Sequence, residues 1–147
     1  MSTVAKYSDL IVWQVAMELV TEIYRLTKSF PREEQFGLVS QMRRAAVSVA
    51  SNIAEGHGRL HKPDYLRHLA IARGSLMELR TQLQIAVNLE YLPYEATELA
   101  WSLCDKAGRF LNNLIRALDQ SIRSTPNNGR IFEESVAYNS APPDEDA

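Results

Sequence analysis

Four times along this chain apolar residues recur at intervals of three and four, and proline or glycine separates one run from the next. Such spacing marks one face of an α-helix, and no segment alternates in the manner of a strand. In the first run the row is Leu10, Trp13, Met17, Val20 and Tyr24. Ser8 or Asp9 is placed to cap this helix. It should end near Ser29, because Phe30 precedes Pro31 and a residue before proline is pushed out of the α region. The second helix is expected from Arg32 or Glu33, where acidic neighbours suit the positive end of the dipole. Its row is Val39, Met42, Ala46, Val49 and Ile53, and Gly56 and Gly58 should end it in a left-handed C-cap. Pro63 suits the first position of a third helix, whose row is Leu69, Ala72, Leu76, Leu79, Leu83 and Ala86. Pro93 breaks the chain before a fourth row of Ala96, Leu99, Leu103, Phe110, Leu114 and Leu118.

A chain of 147 residues makes one core, and four helices on short links pack most cheaply as an antiparallel up-down-up-down four-helix bundle. The all-α bundle domain is expected over residues 1–123, with a flexible, acidic tail over 124–147. In that tail Thr125-Pro126-Asn127-Asn128-Gly129 is loop chemistry, and the segment from Ile131 to Tyr138 is apolar enough to dock. The first helix carries a second apolar row, Val12, Val15, Leu19, Ile23 and Leu26, and the fourth adds Cys104, Leu111, Ile115 and Ile122. A bundle helix in a monomer needs one apolar face only. The surplus predicts a homo-oligomer in which the first and fourth helices bury a second face against another subunit.

No signal peptide is evident at the N-terminus, and no apolar run approaches the roughly 18 residues of a membrane span. A cytoplasmic protein is expected. The single cysteine, Cys104, excludes an internal disulfide and is read as core or interface. Trp13 and Trp101 stand among apolar residues at helical spacing and read as packing anchors. The net charge of −2 is unevenly placed, with residues 43 to 80 holding seven basic side chains against three acidic. This stretch suggests an anionic partner, with Arg43, Arg59, Lys62, Arg67 and Arg73 as candidate nucleic-acid contacts. The competing reading is a set of solvated helix faces.

Within the second helix Gln41, Arg44, Ser48, Asn52 and Glu55 share one side, and the third answers with Ser75 and Glu78. Interleaved small residues allow the helices to approach closely, and polar groups facing each other there must bond to one another. This set is expected as a structural polar core. Bundle metal sites use a Glu with His three residues on, and neither Glu55 nor Glu78 has one. His57, His61, Asp64 and His68 cluster near the second loop without a framework to orient them, so no metal and no cofactor are expected.

The run from Gln41 to Gly56, closing on Asn52-Ile53-Ala54-Glu55-Gly56, resembles the signature of the four-helix-bundle proteins encoded in intervening sequences of bacterial 23S rRNA genes. Phe30-Pro31, Glu34, Gly37-Leu38, Arg59, the helix-three run from Ala70 to Leu79 and Asp9-Leu-Ile-Val-Trp13 extend the resemblance over roughly residues 7 to 120. The resemblance implies a pentamer of antiparallel bundles whose molecular function is largely unassigned. A related branch, the accessory variability determinant of diversity-generating retroelements, binds a reverse transcriptase and nucleic acid through a basic surface. A non-enzymatic adaptor that meets itself and RNA or an RNA-handling protein is therefore expected. The alternative is a protein-interaction scaffold using the tail, and a third class is an enzyme built on Arg44, Glu55 and Glu78 in an open cleft.

Overall fold

The computed structural model describes residues 6–124. Among them the chain forms α1 (Ile11–Thr27), α2 (Leu38–His57), α3 (Lys62–Asn88) and α4 (Glu98–Ser124), with 3-10 turns at Tyr7–Asp9, Arg32–Glu34 and Tyr94–Thr97. No strand forms among the described residues. The acidic tail and its segment 131–138 lie outside them. α1 packs on α2 and α4, α3 also packs on α2 and α4, and the α2–α3 contact is the most extensive. Each helix thus has two neighbours around one core, the arrangement of a four-helix bundle. No helix among the described residues is long and apolar enough to cross a membrane.

The expected rows of α2 and α3 are all buried. In α1 the two rows exchange roles. Val12, Val15, Leu19, Ile23 and Leu26 fill the core, while Met17 and Tyr24 are exposed and Trp13 and Val20 half-buried. The rows lie about two positions apart and share a spacing, so periodicity identifies a helix without saying which row faces inward. In α4 the core takes Leu103, Cys104, Phe110, Leu111, Leu114 and Leu118, whereas Ala96 and Leu99 are exposed. Cys104 and Leu111 therefore widen the core face. Ile115 and Ile122, the other members of the expected second face, are half-buried, and beyond Leu99 the exposed residues of α4 are polar.

Helix ends also depart from expectation, each for a local reason. Leu10, not Ser8 or Asp9, precedes α1, and it has no side-chain cap. A 3-10 turn takes residues 32–34, so α2 starts later, at Leu38, whose N–H donates to the Glu34 carboxylate at 2.9 Å. Gly56 and Gly58 do not reach positive φ, and α2 ends on Gly58 in the right-handed region. The left-handed residue is Glu90, at φ 62°, just after α3. There the Glu90 N–H donates to the Val87 carbonyl and the Tyr91 N–H to the Ala86 carbonyl, both at 3.0 Å. This is a Schellman ending with glutamate at the position glycine usually takes. Tyr91 then packs on Phe30 with ring centroids 5.5 Å apart. Because a side chain disfavours this conformation, Glu90→Gly is expected to stabilise the fold by about 0.5–1 kcal/mol, after the extra freedom of unfolded glycine is subtracted. Thermal unfolding of the variant, a few degrees higher than the parent, checks this.

Candidate functional site

The α2–α3 contact organises the conspicuous polar stretch. Ser48 and Ser75 share a hydrogen bond at 2.8 Å, and the Asn52 amide donates back to the Ser48 carbonyl at 2.9 Å. The Asn52 oxygen lies 3.1 Å from His68 Nδ1. An amide oxygen can only accept, so His68 donates from Nδ1 and, when neutral, carries its lone pair on Nε2. Below this pair Gly56 is buried, and a Cβ there would stand 2.8 Å from His68 Cβ and 3.1 Å from the Tyr65 ring. Glycine at 56 thus serves close helix approach rather than a turn. Tyr65 is fully buried, and burial pushes its phenol well above the ordinary range.

The rest of the expected polar core is not interior. Gln41, Arg44, Glu55 and Glu78 are exposed. Gln41, Arg44 and Glu78 line an open groove of about 320 Å³ over Ala45, Ser48 and Ser75. Glu55 reaches His68 only at 3.8 Å, with its side chain 61% exposed. Small residues at the α2–α3 seam leave room for the serines and asparagine, while the longer side chains extend past it into solvent. The open groove holds a cation and a carboxylate, Arg44 and Glu78, in reach of a polar ligand. The serine hydroxyls on its floor are engaged with each other.

The candidate nucleic-acid residues divide in the same way. Arg43 lies against α1: its Nε donates to Thr27 Oγ1 at 2.9 Å, and its guanidinium sits 4.4 Å from the Tyr24 ring centroid. Lys62 is fully buried and bonds Ser121 of α4. Both serve contacts between helices. Arg59, Arg67 and Arg73 are exposed, and Arg73 reaches Asn112 at 3.4 Å. Between α1 and α2 a second groove of about 630 Å³ is lined by Tyr24, Phe36, Val39, Arg43, Arg44 and Val47 among others, with Phe36 90% exposed.

A third surface was hidden when charges were counted by stretches of sequence. On the outer side of α4, Lys106, Arg109 and Arg116 are exposed, and none makes an ion pair among the described residues. Their spacing of three and seven puts them on one face. The nearby carboxylates are engaged elsewhere, Asp105 with Arg80 at 2.8 Å and Asp119 with Arg123 at 3.2 Å. Reading charge by helical face rather than by segment would have found this stripe.

Among the described residues no three His, Cys, Asp or Glu side chains converge to hold a metal. His61 and Asp64 are exposed beside α3's start, His57 meets the Tyr65 ring edge-on, and His68 turns inward. Cys104 is fully buried, and burial pushes its thiol up to about 12, with Arg80 opposing and Asp105 adding to the shift. At neutral pH it stays a thiol and is no nucleophile.

A helical bundle knit by a Ser-Asn-His-Gly seam is the class of protein these features define. The family model for 23S rRNA-intervening sequence protein matches residues 8–113. The chain belongs to that family. A comparison with curated proteins found no match.

The seam predicts unequal consequences for two neighbouring residues. Asn52→Leu removes the partner of buried His68 and is expected to cost about 1–3 kcal/mol. Glu55→Ala, at an exposed site, should stay within about 0.5 kcal/mol of the parent. Urea unfolding of both variants measures the contrast, and equal losses would contradict it.

Proposed function

We propose that this protein is a non-enzymatic adaptor of the cytoplasm, a homopentameric ring of antiparallel up-down-up-down bundles that contacts RNA through the outer face of α4. The observation that carries this reading is the division of its surface. Beyond Leu99, α4 shows solvent a basic stripe with no ion pair among the described residues, whereas other exposed apolar side chains lie elsewhere, among them Met17, Tyr24, Phe36 and Val47 on the α1–α2 side and Ile71 and Ile85 on α3.

The antiparallel course is supported by the pairing of residues across helices. Going down α3, Lys62, Arg73 and Arg80 meet Ser121, Asn112 and Asp105 in descending order along α4. Ser48 and Asn52 of α2 meet Ser75 and His68 of α3 in the same reversed sense. The ring is supported by the two apolar patches flanking α2. A cyclic assembly beyond the dimer needs two different patches that fit each other head to tail. Repeating a modest basic stripe around such a ring raises its effective affinity without any new contact.

A scaffold that binds only proteins is the alternative. The α1–α2 groove favours it, since Phe36, Tyr24 and Arg43 give a partner's side chains both apolar and cationic contact. The two readings part on the α4 charges.

Light scattering during size exclusion is expected to give the mass of five subunits. Phe36→Asp and Ile71→Asp should each reduce it to one subunit, and mixing these two variants should restore a pair through the patch each retains. Reversing Arg109 and Arg116 together to Glu is expected to abolish RNA retention at low salt while the ring persists. Retention unchanged by that reversal would favour the protein-only scaffold.

A further inference from the structure

We infer that the α4 face takes the phosphate backbone of double-helical RNA rather than a single strand, an inference that rests on the RNA reading above and specifies its ligand. The first ground is the spread of charge. Lys106, Arg109 and Arg116 occupy one side of a continuous helix, Glu98–Ser124, spanning about 15 Å along its axis. Arg73 of α3 joins them at the level of Asn112. Such a row suits phosphates held at fixed positions by a duplex.

The second ground is what the face lacks. Proteins that hold single strands do so in a groove, with aromatic side chains on which the unstacked bases lie. Among the described residues the exposed aromatic side chains belong to other parts of the molecule: Tyr7, Tyr24 and Phe36 around α1 and α2, and Tyr94 in the turn before α4. Trp101 is half-buried, with the Arg80 guanidinium over its ring at 5.4 Å. The grooves described above lie along α1–α2 and α2–α3. α4 instead presents the convex side of a rod about 10–12 Å across. A rod of that kind lies along the wide, shallow minor groove of an A-form duplex, where recognition runs through phosphates and 2′-hydroxyls. Asn112, exposed between Arg109 and Arg116, adds an amide able to meet a 2′-hydroxyl.

The test uses the full chain and fluorescence anisotropy at about 50 mM salt, rising in steps. The probes are a blunt RNA duplex of unrelated sequence and each of its single strands. The duplex is expected to bind at least roughly tenfold tighter than either strand. Arg109→Ala and Arg116→Ala should each weaken the duplex complex and lower the slope of log K against log salt by about 1. Both substitutions are on exposed side chains, so an unchanged circular dichroism melt separates a binding loss from unfolding. A single strand bound as tightly as the duplex overturns this inference and leaves the RNA reading standing. Duplex binding whose salt slope ignores both variants overturns the assignment to α4. If neither form of RNA is retained, the RNA reading falls and this inference falls with it.

Discussion

At Gly56 the backbone of α2 comes so near α3 that a methyl group would stand 2.8 Å from His68 Cβ. Much of the rest follows from that approach. It draws Asn52 against His68 and Ser48 against Ser75, and these two pairs bond at distances near 3 Å. It also fixes the relative height of the two helices, which sets where Arg44 and Glu78 emerge at the rim. A seam of this sort contributes specificity more than raw stability, because a shift along it would strand buried polar atoms.

Fixing α2 on α3 in turn fixes what each helix leaves outside. Beyond Leu99, α4 turns its apolar row inward and keeps a polar exterior with a basic stripe. α1 and α3 bury one row and still expose aliphatic and aromatic groups. Two classes of surface therefore lie on different sides of one small bundle, and each suits a different kind of contact. Apolar patches favour association with loss of water, whereas a basic stripe works best where it stays hydrated and exchanges counterions.

The existence, number and order of the helices were legible because each run holds its period over several turns and proline or glycine separates the runs. The inward rows of α2 and α3 were legible too, since each runs unbroken over several turns while the exposed Val47, Ile71 and Ile85 make no competing row. In α1 both rows are apolar, and only packing against α2 and α4 selects the one containing Leu19 and Ile23. The seam was half legible. Helical spacing aligned Gln41, Arg44, Ser48, Asn52 and Glu55, but spacing carries no information about side-chain reach, and the long members of the set extend into solvent. His68 was taken as a loop residue near other histidines. Its role depends on the Asn52 oxygen sixteen positions earlier, which no local pattern announces. Likewise the basic stripe of Lys106, Arg109 and Arg116 is spread over a segment whose carboxylates, Asp105 and Asp119, offset two of its three charges in a linear count.

The link between α2 and α3 is only four residues, 58–61, yet it joins the pair with the largest contact in the molecule. Closing so short a loop costs little chain entropy, and contacts near in sequence form early. The α2–α3 pair is therefore the natural place for folding to begin. α1 and α4, first and last in the chain, add to it afterwards through contacts that span most of its length. On a ribosome this ordering lets the seam assemble as soon as α3 is clear of the exit tunnel, while the basic helix is still inside it.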